Sequence, residues 1–211
     1  MPKQVRRSLG SESVDSDHGH DETIIALVQL ETERLLLRRP QRADVDAYAA
    51  FFADAEVVRY IGGVTKTRWE TAAAVDRMVR HWERYQIGLF SLVRKEDERL
   101  IGRAGFLLWD PQRWLNAMVN DLDGPLETEI GWTLGREFWG RGYATEGAKA
   151  ARDWALAELG LTRLISLIQR ANIASVRVAE KLGETLERRD LEGPFAAATD
   201  LYALTAETPA R

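Results

Sequence analysis

Apolar side chains recur along this chain with two distinct periods, and the points where the period changes divide it into elements. Residues 33–39, ERLLLRR, form a short apolar run between charges that predicts a strand, ended by Pro40. Asp44 is positioned to cap a helix carrying Val45, Tyr48, Ala49 and Phe52 at helical spacing. Thr67 and Glu70 read as a T-x-x-E capping box, and Trp69, Ala72, Val75, Val79 and Trp82 continue a second helix behind it. The period then falls to two: residues 89–93 and 99–109 flank the charged turn KEDE as a hairpin. An irregular stretch, residues 110–125, leads into ETEIGWTL, residues 127–134, which alternates as a further strand. Residues 146–159 are helical, with Ala148, Ala151, Trp154 and Ala155 inward and Gly160 as the stop. LISLI, residues 164–168, is continuously apolar, like a strand covered on both faces. Residues 172–182 make the last helix, stopped by Gly183, and LYAL, residues 201–204, the last strand. Strands and helices interleave without an internal repeat, which predicts an α/β domain with one mixed sheet of six to seven strands and about four helices.

Composition narrows the picture. A chain of 211 residues, 45% hydrophobic, can bury one sizeable core. Residues 1–22 are too poor in large apolar side chains to order on their own, so the expected organisation is a disordered polar tail, then a single domain over residues 23–211. A formal charge of -4, from 29 basic and 33 acidic side chains, offers no cationic field to nucleic acid or to an anionic membrane. There is no cysteine, which excludes disulfides, thiolate metal ligands and cysteine nucleophiles. The start, MPKQVRRSLG, lacks the apolar stretch of a signal peptide, and about 18 apolar residues never run together, so a cytoplasmic protein is expected. His18 and His20 lack the further ligands of a closed metal site, and no metal is expected. His81, the only histidine outside the tail, is expected on the surface of the second helix. Ser/His/Asp nucleophile chemistry is thereby excluded from the domain.

One stretch carries the chemistry. FWGRGYATEG, residues 138–147, sets glycines around an arginine between a strand and a helix. A strand that passes through such a turn into a helix presents backbone N–H groups and the positive end of the helix dipole to one point, which favours phosphate. Gly140 and Gly142 let the chain turn tightly, Ala144 is small, and Arg141 and Lys149 add charge. A mononucleotide P-loop would need Lys and Ser/Thr after the glycines, and neither follows. A Rossmann site would need a third glycine where Thr145 stands and an acid about 20 residues on, which LTRLISLI does not supply. Coenzyme A remains.

With EIGWTL before it and NIASVRVAEKLG after it, FWGRGYATE resembles the GCN5-related N-acetyltransferases, and the opening LETERLLLRRPQRAD resembles their ribosomal-protein-alanine acetyltransferase branch. The likeness runs over about residues 30 to 205. It implies a mostly antiparallel central sheet, acetyl-coenzyme A as cosubstrate and a primary amine as acceptor. The family's Q/R-x-x-G-x-G/A signature falls on Trp139 to Ala144, with Trp139 in place of Gln or Arg. By that resemblance the pyrophosphate meets the amides of Arg141, Gly142, Tyr143, Ala144 and Thr145 beside Gly140, and the pantetheine runs along Trp132, Thr133 and Leu134. Asn172 matches a coenzyme-contacting asparagine and equally reads as a helix cap. Ser175 aligns with a serine that can protonate the leaving thiolate, and equally reads as support for that cap.

Acetyl transfer by direct attack needs no enzyme nucleophile, only an oxyanion donor and a base that keeps the amine neutral. A backbone N–H on the strand over residues 127–134 can be the donor, and Glu129 and Glu127, on one face of that strand, are the candidate bases, with Glu192 a third. Segments 54–66, 110–125 and 187–200 frame the acceptor side, where Asp110, Asp121 and Asp123 would suit a cationic amine. A non-catalytic acyl-coenzyme A sensor would keep the same cradle, and a homodimer stays open.

Overall fold

The computed structural model describes residues 28–192 and 198–206. The expected tail, residues 1–22, and its histidines lie outside them. The described residues contain eight strands: β1 (Gln29–Glu31), β2 (Leu35–Arg38), β3 (Leu89–Arg94), β4 (Leu100–Trp109), β5 (Glu127–Leu134), β6 (Arg163–Gln169), β7 (Thr185–Arg188) and β8 (Thr199–Thr205). They form one sheet, ordered β1-β2-β3-β4-β5-β6-β8-β7. Every neighbouring pair is antiparallel except β5 with β6. Five α-helices accompany it: α1 (Val45–Phe52), α2 (Ala55–Val58), α3 (Arg68–Tyr85), α4 (Tyr143–Glu158) and α5 (Ile173–Lys181). The α/β class, the mixed sheet and the hairpin of β3 and β4 are as the sequence predicts. The strand count exceeds the expected six to seven because β1 and β7 are three and four residues long, too short to show alternation, and β7 is exposed throughout. The single-turn α2, four residues long, escapes notice for the same reason.

Each face of the sheet has its own helices. On one, α4 packs Tyr143, Ala148, Ala151 and Trp154 against Phe90, Ala104, Phe106 and Ile130. On the other, Tyr48, Phe51 and Phe52 of α1 and Val75 and Met78 of α3 cover Leu89 and Leu107. Adjacent strand residues such as Leu89 and Phe90 serve opposite layers, as the two-residue period of a strand requires.

Three local expectations need correction. Asp44 precedes α1 but its side chain does not cap it. The carboxylate instead takes two hydrogen bonds from Arg38, at 2.8 and 2.6 Å, and others from the Gln41 N–H and the Ser91 hydroxyl, fixing the corner where β2 turns toward α1. The capping box of Thr67 and Glu70 is formed, yet the buried stripe of α3 is Thr71, Ala74, Val75, Met78, His81 and Trp82, while Trp69 is 82% exposed. His81 is therefore in the core and not on the surface. Burial pushes its imidazole down to about 4, and neither ring nitrogen meets a hydrogen-bond partner among the described residues. A buried neutral imidazole packed beside Tyr85, ring centroids 4.8 Å apart, acts here as an aromatic. Finally, α4 starts at Tyr143, three residues before the expected Glu146, which brings its first turn into the glycine stretch.

Candidate active site

The chain leaves β5 through a 3-10 turn over Arg136–Phe138 and enters α4 through Gly140 and Gly142, both left-handed at φ 71° and 82°. A side-chain-bearing residue would be strained at either position. Gly142 is the N-cap of α4 and has no side chain to satisfy the helix's first amides. Among the described residues none accepts a hydrogen bond from the backbone N–H groups of Gly140, Arg141, Gly142, Tyr143, Ala144 or Thr145; the first spent amide is that of Glu146, on the Gly142 carbonyl. Six consecutive unspent donors at a helix N-terminus make a cradle for a polyanion such as a pyrophosphate.

The back of this cradle is clamped from the turn between β1 and β2, distant in the chain. Glu146 takes hydrogen bonds from the Thr32 hydroxyl at 2.6 Å and from the Arg34 N–H and Nε at 2.9 and 2.6 Å, while Arg34 Nη1 donates to the Arg141 carbonyl at 3.0 Å. The Arg34 guanidinium also lies 4.4 Å from the Tyr143 ring centre. The Trp139 indole N–H donates to the Leu134 carbonyl at 2.8 Å. The residue that departs from the family signature thus ties the turn to the end of β5. Arg141 and Lys149 are exposed beside the cradle.

The second part of the site is a split in the sheet. β5 and β6 run parallel and share one registered pair, Glu129 opposite Ile165. Two side chains bridge the strands next to it: the Ser166 hydroxyl donates to the Ile130 carbonyl at 2.8 Å, and the Leu167 N–H points at Glu129 Oε1 at 3.5 Å. Beyond this closed end the strands part around a cavity of about 100 Å³, walled by Gly131, Trp132 and Thr133 on one side and Leu167, Ile168 and Gln169 on the other. Asn172 and Ser175, from the start of α5, and Tyr60 and Ile61, from the segment after α2, close it. Past Thr133 the chain itself continues from β5 into the glycine turn. A larger open groove, about 680 Å³, runs beside Phe51 and Arg136, and none of the predicted catalytic or coenzyme-binding residues lines it.

Glu129 stands at the closed end, 8% exposed. Burial pushes its carboxyl up to about 7, against the Trp109 indole N–H at 2.6 Å, the Leu167 amide and Arg103, which favour the anion. A carboxyl that loses its proton near neutrality, inside a cavity, has the affinity a general base needs. Glu127, two residues earlier on the same face, does not line the cavity. It faces Arg163 at 3.3 Å, which also holds Glu187. Glu192 is exposed. Trp132 and Thr133 line the split, whereas the Leu134 side chain is in the core and its carbonyl serves Trp139. Asn172 caps α5 by accepting from the Ser175 N–H at 3.2 Å, and both residues also face the cavity.

Sequence reasoning missed three polar residues. Ser166 sits inside what reads as a plain apolar strand. Glu184, 3% exposed, lies 3.0 Å from the Ser166 hydroxyl, and burial pushes its carboxyl up to about 8. Arg103 on β4 lines the cavity with its guanidinium 5.0 Å from the Phe52 ring centre. Ser166 and Arg103 are single polar residues within strands and Glu184 lies in the turn before β7, so none belongs to a period and nothing in the sequence marks these three. The acidic framing segment also changes character: Asp110 is bound by Arg113, and Asp121 and Asp123 by Arg84.

Comparison with known proteins gives the chain a family. The family description "Acetyltransferase (GNAT) domain" matches residues 34–185. The uncharacterized N-acetyltransferase p20 of Bacillus licheniformis is 29% identical over 82% of this chain and 92% of its own. An acetyltransferase from Agrobacterium tumefaciens is 30% identical in sequence and superposes with a TM-score of 0.67 over 88% of this chain and 98% of its own. The ribosomal L7/L12 N-terminal acetyltransferase RimL, solved with coenzyme A, shares the fold at a TM-score of 0.70, covering 86% and 99% of the two chains, with 16% identity.

Proposed function

The chain belongs to the GNAT acetyltransferase family and is an N-acetyltransferase, and from that premise we propose how its residues divide the work. Acetyl-coenzyme A, the family's acetyl donor, lays its pyrophosphate on the six unspent amides of Gly140 to Thr145 and its pantetheine arm in the split between β5 and β6. The fit rests on the cradle, whose donors need an anion, and on the strand edges, whose backbone groups need partners once the ladder stops. Bound there, the coenzyme supplies the thioester carbonyl.

Glu129, ionised, accepts the proton that the attacking primary amine releases as its nitrogen bonds to the carbonyl carbon. A backbone N–H on the β6-facing edge of β5 stabilises the oxyanion, and Ser175 gives a proton to the thiolate as the C–S bond breaks. The observation that carries this reading is the position of one buried carboxyl, poised near neutrality, at the closed end of a split whose strand β5 continues into a phosphate cradle. The sensor alternative finds no support in such a carboxyl, because binding alone does not use it.

The test is Glu129→Gln. Turnover with acetyl-coenzyme A and a responsive amine is expected to fall about 100- to 1,000-fold, as loss of a general base does, while coenzyme affinity holds. In the unsubstituted enzyme kcat/KM should rise through pH 7 as Glu129 ionises. Unchanged turnover in the variant would remove Glu129 from the mechanism.

A further inference from the structure

The cavity holds a cation as well as a base. Register pairs Arg103 with Thr133 and Leu107 with Glu129, so Arg103 and Glu129 share one face of the sheet, four residues apart along the strands, under α1 and α3. Arg103 leans on Phe52 and directs Nη1 to the Met78 sulfur at 3.5 Å. Among the described residues it forms no ion pair with any carboxylate. Its charge feels Glu129 at a distance, and burial holds the guanidinium below its ordinary affinity for protons. A cation half withdrawn from water against a thioether and an aromatic ring is costly to keep unless something pairs with it. The other charges around the acceptor side are spent: Asp110 on Arg113, and Asp121 and Asp123 on Arg84. The rim acids are thus already engaged, with Asp121 and Asp123 sharing one arginine, whereas Arg103 inside the cavity has no carboxylate at bonding distance and only Glu129 farther off.

We propose that Arg103 selects the acceptor, and that the acceptor is a primary amine carrying an anionic group within a few bonds of its nitrogen, a carboxylate or a phosphate. This rests on the acetyl-transfer reading above and names the substrate class of that same site. The amine meets Glu129, the anion meets Arg103, and the two contacts along the strand fix which nitrogen reaches the thioester. Arginine suits the task because its planar fork takes two oxygens at once.

The full-length protein is tested with acceptor pairs that differ only in the anion: the standard amino acids against their amides, and O-phosphoethanolamine against ethanolamine. A charge-assisted contact should favour the anionic member of at least one pair about 10- to 100-fold in kcat/KM. Arg103→Gln should bring that ratio below about threefold by raising KM for the anionic acceptor, with KM for acetyl-coenzyme A unmoved, and Arg103→Lys should restore part of it. A second readout needs no turnover: calorimetric titration of the N-acetylated acids and amides into the coenzyme A complex. Here Glu129→Gln, which removes a neighbouring negative charge, should bind the acids at least as tightly as the unsubstituted protein does, whereas Arg103→Gln should bind them about tenfold less tightly, so failure of the base and failure of the anchor are read separately. Neutral members matching or beating anionic ones in both readouts, no binding of any acid, or a preference that survives Arg103→Gln would each overturn the inference. The carboxylate and phosphate pairs decide which anion is meant.

Discussion

The glycine turn and the split sheet recognise by opposite means. The turn uses backbone alone: six amide donors at the surface, made available by two left-handed glycines and by a clamp from Arg34 and Glu146 behind them. The split adds side chains, three of them withdrawn from water: Glu129, Ser166 and Glu184 are at most 8% exposed. Backbone donors keep their charge distribution at every pH and are lost only by changing the path of the chain. Buried carboxyls change charge with their surroundings, and each costs stability that a neutral side chain would not. A site of the first kind should tolerate side-chain chemistry and fail on conformation, and one of the second kind the reverse.

The largest effect expected of this contrast comes from Glu129→Gln, whose loss of turnover should accompany a gain in stability. Its folded-state affinity for protons lies above that of the unfolded chain, near 4.3, so folding binds a proton and stability falls as pH rises from there to about 7. Glutamine removes that penalty, and thermal melts at pH 8 should show the inactive variant melting higher. Next comes Gly142→Val, which places a β-branched residue at φ 82°. KM for acetyl-coenzyme A should rise at least tenfold while kcat at saturation stays within about threefold, at a cost of about 1–3 kcal/mol in folding. A fall confined to kcat would erase the distinction between the regions.

Glu184→Gln sharpens it. The Ser166 hydroxyl has one proton and gives it to the Ile130 carbonyl, so the Glu184 contact at 3.0 Å is satisfied best when Glu184 keeps its own proton. Glutamine supplies an N–H to the same oxygen. The stability difference between variant and parent should therefore grow as pH rises from about 4.3 toward 8, reach a few kcal/mol at most, and then stop growing. The smallest effect, outside both regions, is that of His81→Leu. His81 resists protonation in the folded state, so the parent should lose about 1–3 kcal/mol between pH 6.5 and 4, and the variant should not. Chemical denaturation across that range reads it.

The same contrast governs what the sequence discloses. A backbone cradle needs glycines at fixed places, so FWGRGYATEG shows its purpose directly. Glu129 is visible because ETEIGWTL alternates, but alternation alone put Glu127 beside it. What separates them is where β6 begins: Glu127 meets Arg163 at the first residue of that strand, whereas Glu129 meets the last backbone pair before the strands part. Arg103 and Glu184 owe their burial to partners far along the chain, and no local period announces them. Asp44 and His81 mislead for a related reason. Each sits where a local rule assigns it a cap or a surface position; contacts with Arg38 and Ser91 give Asp44 another role, and the packing of α3 buries His81.

A sheet stitched together by one backbone pair is also two mechanical pieces. β1 to β5 form one block and β6, β8 and β7 another, joined at Glu129 and Ile165, by the side-chain bridges of Ser166 and Glu129, by the Glu127–Arg163 ion pair, and by the packing of α4 across the strands. Cooperative unfolding depends on the strength of such seams. Amide exchange should find the smaller block opening at lower free energy than the larger one, and a ligand wedged along the seam should draw the two opening energies together by joining edges the polypeptide leaves apart.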